Sequence, residues 1–301
     1  MNIGQKRSRT TNTLCLLLGY SRQAFYQQKK VIERATLQNE LILQQVLLIR
    51  TRQKRIGVRK LFVMLQTFFK THHISIGRDA LFELLADHNL LVRRRSRKIP
   101  RTTFSDHWMR KYPNLIIGMS VKHPNSLWVS DITYITLSEG PAYLALVTDA
   151  YSRMIIGYSL NKDLCAEGCV KALKMAIRQL PDRADVIHHS DRGSQYCSFE
   201  YVNQLTRKHI AISMTQNSDP RENAIAERVN GIIKQEFLAA SYISFAQASE
   251  SVKEAISIYN HERPHSSIDM LTPVNAHAKN GELKKHWKNY YPNKVKEMLM
   301  G

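Results

Sequence analysis

The 301 residues suffice for about two domains of roughly 150 residues each, with a core that needs neither disulfides nor a structural metal. Lys and Arg number 44 against 25 Asp and Glu, a formal charge of +19; this argues against an ordinary metabolic enzyme and for a polyanionic partner, nucleic acid ahead of an anionic membrane. No stretch reaches the ~18 apolar residues of a spanning helix, and the short apolar run 14–18 leads into no small-residue cleavage pattern, so a cytoplasmic protein without a membrane segment is expected.

The charge is concentrated at one end. Residues 1–125 hold 24 Lys plus Arg and 6 Asp plus Glu, whereas 126–301 hold 20 and 19, which predicts two parts with different tasks. In the first part, the apolar run 14–18, Gly19 for a tight turn, Ser21 as an N-cap and a second short helix to Tyr26 make a helix-turn-helix pattern. A second helical pair follows, 58–70 with Leu61, Met64, Leu65 and Phe68 at helical spacing, then 78–88 with Leu81, Leu84 and Leu85. Around these lie Arg50, Arg52, Lys54, Arg55, Arg59 and Lys60, and the run Arg93, Arg94, Arg95, Arg97, Lys98, Arg101. Cations on a small helical core give phosphate contacts and a strong salt dependence, while base reading needs a helix in the major groove.

The charge-balanced part opens with strands at 128–136, 142–148 and 154–160, rich in β-branched and aromatic residues and joined as an antiparallel meander. Asp131 lies inside the first strand, where a carboxylate needs a reason; Asp149, in the turn before Arg153, reads as structural. Next come a helix over 166–180, a buried strand over 184–188 that brings Asp191 to its C-terminal end, a helix over 199–208 and a strand over 211–215. The last helix, 223–237, buries Ile225, Val229 and Ile232 and turns Asn223, Glu227, Asn230 and Lys234 to the opposite face. A mixed α/β layer with helices on a sheet follows. Cys15, Cys165, Cys169 and Cys197 form no CxxC pair and are expected as free core thiols rather than zinc ligands.

Each acidic residue alone has a bland reading, and the combination does not: Asp131 in a first strand, Asp191 at the end of a later one, and Glu227 on a helix with 35 residues between the last two. This constellation, with the words Trp128-Val129-Ser130-Asp131-Ile132-Thr133-Tyr134, His189-Ser190-Asp191-Arg192-Gly193-Ser194-Gln195-Tyr196, Glu222-Asn223-Ala224 and Tyr259-Asn260-His261-Glu262-Arg263-Pro264-His265-Ser266, resembles the D,D(35)E core of retroviral-integrase-like transposases. With Arg55-Ile56-Gly57-Val58-Arg59 also agreeing, nearly the whole chain is similar to the second-reading-frame, OrfB-type product of a large family of bacterial insertion sequences.

The resemblance implies a ribonuclease H-like mixed sheet with helices on both faces, preceded by a small all-helical region: a basic helix-turn-helix-like DNA-binding region over 1–100, a basic linker over 101–124, the catalytic core over 125–280 and a tail over 281–301. It implies that Asp131, Asp191 and Glu227 hold two Mg²⁺ or Mn²⁺ ions, which suit hard oxygen ligands. The expected activity is hydrolysis at the ends of an element followed by attack of the freed 3′-hydroxyl on another phosphodiester. Lys234 is expected to hold the terminal phosphate, and Asn223, Arg263, His265, Arg59, Arg93, Arg94 and Arg95 to contact DNA. Implied partners are double-stranded DNA, the first-frame protein of the same element and further copies of the chain in the DNA complex, in the bacterial cytoplasm at the nucleoid. Two departures stand out: Arg192, where the family usually carries Gln, and Ser218-Asp219-Pro220-Arg221-Glu222-Asn223 in place of Gly-Asn-Pro-x-Asp-Asn. Arg192 is placed to favour the ionised Asp191, to contact phosphate or to compete with metal. The rival readings are a non-catalytic DNA-binding regulator derived from a mobile element and a nuclease acting on RNA in hybrids.

Overall fold

The computed structural model describes residues 11, 13–93, 107–180, 185–216 and 222–286; the expected DNA contacts Arg94 and Arg95, with Arg97, Lys98 and Arg101, lie outside them. The chain divides into two compact units, Met1–Arg52 with Leu65–Leu91, and Gln53–Met64 with Val92–Gly301.

The first unit is helical. Residues 13–17 form a helical turn, Gly19 takes φ +72° where a side chain would be strained, and the Ser21 hydroxyl caps the next helix by accepting from the Ala24 N–H at 3.1 Å. That helix, α1, is not short: it runs Arg22–Arg52, because no Gly or Pro interrupts its long helix-forming sequence. The expected helix over 58–70 is broken at Leu65 into α2 (Val58–Met64) and α3 (Gln66–Thr71). No residue type forces the break; α2 belongs to the second unit and α3 to the first, and Val58, Leu61 and Phe69 are all buried. Helix α4 (Arg78–Asp87) buries Leu81, Leu84 and Leu85.

The second unit is built on a five-stranded mixed sheet, β1 (Leu127–Leu137), β2 (Gly140–Asp149), β3 (Ile155–Asn161), β4 (Ile187–Ser190) and β5 (Ala211–Met214), in the order β3-β2-β1-β4-β5. The first three strands form the expected antiparallel meander, and β4 and β5 add in parallel after helical crossovers. Along β1 the side chains alternate: Trp128 and Ile132 face a core with helix α5 (Ala166–Ile177) and helix α7 (Phe199–Arg207). Ile135 and Leu137 face a second core with helix α8 (Ala224–Ile232), the π-turn Ile233–Phe237 that continues it, and helix α9 (Phe245–His261). Helices therefore cover both faces, the ribonuclease H-like arrangement. Two short helices escaped the sequence pattern, α6 (Ser194–Cys197) and α10 (Pro273–His277), since four or five residues carry too little periodicity to detect.

Asp149 is fully buried and accepts from the backbone N–H groups of Asn125 and Ser152 and from the Ser152 hydroxyl, each at 2.7 Å; it pins the β2–β3 turn. The four cysteines are free, with Cys15, Cys169 and Cys197 buried but Cys165 exposed just ahead of α5; the apolar stripe of that helix starts one turn later.

Candidate active site

Strand register brings the two aspartates together. In the parallel pair, Trp128 stands opposite His188 and Val129 opposite His189, so Asp131, two residues on along β1, and Asp191, just past the end of β4, leave the same end of the paired strands. Both line one small pocket, with Thr133, Tyr134, Tyr143, Gly193, Gln195 and Tyr196 among its walls.

Each carboxylate is held before any ligand arrives. Asp131 Oδ1 accepts from the Ile132 N–H and Oδ2 from Asn230 Nδ2, both at 2.8 Å. Asp191 Oδ1 accepts from the Gly193 N–H at 3.0 Å, and a Cβ on Gly193 would stand 3.1 Å from that oxygen, so glycine permits the tight loop. Under Asp131 lies a buried relay: Ser130 Oγ and Tyr201 Oη each sit 2.8 Å from His188 Nε2. Burial and then His189 push His188 down to about 3, so this ring is neutral scaffold.

Burial, then the charge of Asp191 and that of Glu227, raise Asp131 to about 7, against the pull of the Asn230 and Ile132 hydrogen bonds. Asp191 is also raised by burial, offset in part by the Gly193 N–H. Arg192 acts elsewhere: its carbonyl accepts from His107, its Nε is buried without a hydrogen bond, and its charge is felt at the Cys197 thiol.

Glu227 is exposed on α8 and its charge reaches Asp131. Among the described residues no three His, Cys, Asp or Glu side chains form a closed metal-ligand group; two carboxylates line the pocket, and Glu227 is not among its lining residues. The donor chemistry fits divalent cations nonetheless, because carboxylates that oppose one another's ionisation in a half-buried pocket are relieved by positive charge.

The remaining expected site residues are dispersed. Lys234, at the α-to-π transition, places Nζ 3.7 Å from the centroid of the Tyr134 ring on the pocket wall. Asn223 is buried and donates to the Ser130 carbonyl at 3.0 Å. Arg59 and Arg93 are exposed. Arg263 is 1% exposed and donates from Nε to Glu236 Oε2 and from Nη2 to Glu236 Oε1, both at 2.8 Å. His265 is buried against the Tyr259 hydroxyl, 3.1 Å away, and burial followed by Arg263 and Lys60 pushes its pKa far down. These two therefore face the interior, not an open channel: the helix that precedes them ends against the π-turn, and a guanidinium already forked onto a carboxylate has little left for a phosphate. Sequence reasoning grouped Asn230 with the polar face and missed its contact with Asp131; its spacing of three from Glu227 was the available signal. Tyr134 and Glu236 gave no signal of their own.

A mixed sheet covered by helices on both faces, with Asp131 and Asp191 lining one pocket, is the arrangement of the ribonuclease H-like class. Residues 121–220 match the integrase core domain family, and 208–273 match a second family of the same description. The chain is 34% identical over 269 residues to the insertion element IS600 uncharacterized 31 kDa protein of Shigella sonnei, covering 87% of this chain and 96% of that one. It is 30% identical over 230 residues to the protein assigned as transposase to insertion sequence element IS986/IS6110 of Mycobacterium tuberculosis (strain CDC 1551 / Oshkosh), covering 74% and 81%. With transposase InsF for insertion sequence IS3A of Escherichia coli (strain K12) it shares 34% over 188 residues, covering 62% and 65%. The chain belongs to the bacterial insertion-sequence transposases of the OrfB type, enzymes that cut and join DNA strands with an integrase core domain. Among the described residues no helix is long and apolar enough to cross a membrane.

Proposed function

We propose that Asp131, Asp191 and Glu227 share two divalent cations, Mg²⁺ or Mn²⁺, in one centre that cuts at the element's ends and joins the freed 3′ ends to target DNA. The observation that carries this reading is that Asp131 and Asp191 line one pocket, where burial and the charges of Asp191 and Glu227 push the Asp131 carboxyl up to about 7. When bound, the cations supply activation of the attacking oxygen and stabilisation of the leaving one. The chain's own contribution is position and charge. Asp131 and Asp191 present fixed oxygens to one pocket wall, and Lys234, held over Tyr134, supplies the cation that retains the phosphate beside the scissile bond. No side chain needs to form a covalent intermediate: burial and then Asp191 push the nearby Cys169 and Cys197 thiols up to about 12 and about 11, which keeps both protonated at neutral pH.

Double-stranded DNA would be engaged by the basic helical region over 1–100 and the linker over 101–124, leading into the core over 125–280. In the first unit the exposed cations Arg22, Lys29, Lys30, Arg34 and Arg52 of α1 are the supporting surface, whereas the outward residues Asp79, Glu83 and Asp87 make α4 a poor reader of DNA. Arg59 and Arg93 add exposed charge in the second unit. End recognition would be completed by the first-frame protein and by further copies of the chain at the nucleoid.

Incubation of the chain with element-end DNA, Mg²⁺ or Mn²⁺, and with or without the first-frame protein tests this. Wild type is expected to give cut and joined products, and Glu227→Gln to lose both by at least about 10³-fold at unchanged DNA affinity. DNA binding with no products in any of these conditions would return the reading to a non-catalytic regulator; cleavage of RNA in a hybrid without joining would favour the hybrid nuclease.

A further inference from the structure

The helix that carries Glu227 is tied to the strand that carries Asp131 by two asparagines. Asn223 Nδ2 donates to the Ser130 carbonyl at 3.0 Å and Asn230 Nδ2 to Asp131 Oδ2 at 2.8 Å. The two are seven residues apart, with Glu227 between them on the same stripe of α8. Both are nearly closed off from solvent, at 7% and 5% exposure. Their amide orientation is fixed by chemistry, because a carbonyl and a carboxylate both require a donor.

That arrangement has a cost. Oδ1 of each asparagine is buried without a hydrogen bond, and an orphaned buried acceptor is destabilising. A helix packed only for stability would place apolar residues here, as it does at Val229 and Ile232. What the asparagines secure instead is the register of α8 on β1 and the orientation of Asp131. With Oδ1 held by the Ile132 N–H and Oδ2 by Asn230, the carboxylate plane is set, and each oxygen keeps a second lone pair for a ligand.

We propose that Asn230 is a positioning residue that presets Asp131 for the divalent cations, with Asn223 fixing the height of Glu227 above it. The inference rests on the cation-centre reading above. A group that orients a metal ligand through its outer oxygen is worth about 10–100-fold in metal affinity, whereas a side chain that only packs the helix changes stability and leaves that affinity alone.

Mn²⁺ binding to the full chain, followed by calorimetry and by the rise in melting temperature it causes, separates these roles. Asn230→Ala is expected to weaken Mn²⁺ binding about 10–100-fold, with kcat for end cleavage reduced and KM for DNA unchanged. Asn230→Leu, which restores apolar packing, is expected to lose the same affinity even where it recovers stability, and this keeps the test sound if the alanine variant folds poorly. Asp191→Asn serves as the control. Wild-type Mn²⁺ affinity in both Asn230 variants, with binding lost in Asp191→Asn, would overturn the positioning role and leave the cation centre standing. Mn²⁺ binding indifferent to Asp191→Asn would overturn the centre, and the positioning role with it.

Discussion

Asp131→Asn is expected to lower strand cutting and joining by at least about 10³-fold, a barrier increase of about 4 kcal/mol, and in the same experiment to make the cation-free protein more stable at pH 8. The two effects have one origin. Asp131 shares its pocket with Asp191, just past the end of β4, and feels Glu227 from α8, so burial and like charge raise its pKa from 3.8 to about 7. A carboxyl whose folded pKa lies above its unfolded value holds a proton that the unfolded chain has released. Its contribution is therefore fully present below pH ~4 and is lost as pH rises to about 7. At 1.36 kcal/mol per unit the loss is at most about 4 kcal/mol, and Asp191, raised in the same direction, adds to it. Thermal melts in chelator check this: wild type should melt lower at pH 8 than at pH 5, the asparagine variant should show a smaller drop, and Mn²⁺ should restore the wild type alone. Equal pH slopes in the two proteins would mean that Asp131 ionises unopposed.

Arg263→Ala is expected to destabilise the second unit by about 3–5 kcal/mol. The guanidinium is 1% exposed and makes a two-point pair with Glu236 on the π-turn, and Lys60 Nζ from α2 stands 3.6 Å from the same carboxylate. Burial alone would push Glu236 up; the Arg263 hydrogen bonds and charge, then those of Lys60, outweigh it and hold the carboxylate ionised. Removing the arginine takes away both hydrogen bonds and leaves that charge with only Lys60 and Arg228 among the cations that hold it ionised. Chemical denaturation measures the loss, and a Glu236→Gln partner variant should recover part of it by coupling. DNA affinity provides the contrast: a phosphate contact at Arg263 would reduce the salt slope of binding by about 1, whereas an interior arginine leaves the slope unchanged.

The two aspartates that share the pocket were legible in the sequence because they are residue types that strands do not otherwise want. A carboxylate between Ser130 and Ile132 in a β-branched run, and another after the buried strand, stand out against the pattern, and the antiparallel meander followed from three runs rich in β-branched and aromatic residues with turn residues between them. Tertiary choices were not legible. The periodicity of 58–70 runs unbroken through Leu65 while the chain divides there, since a helical stripe does not state which core receives it. The same limit applied to Arg263 and His265: beside a recognisable motif, basic residues read as DNA contacts, and only the packing of α9 against the π-turn turns them inward. Asn230 showed the converse, a polar-face residue whose partner on β1 lies 99 positions away in the chain.

The most direct measurement is the anomalous scattering of Mn²⁺ in crystals of the full chain bound to element-end DNA. Two Mn²⁺ ions are expected beside the cut phosphodiester, bounded by oxygens of Asp131 and Asp191, with Glu227 ligating one and Asn230 still bonded to Asp131. A saturated crystal with Mn²⁺ away from these aspartates, or with Glu227 remote from both ions while the DNA is cut, would contradict the three-carboxylate centre.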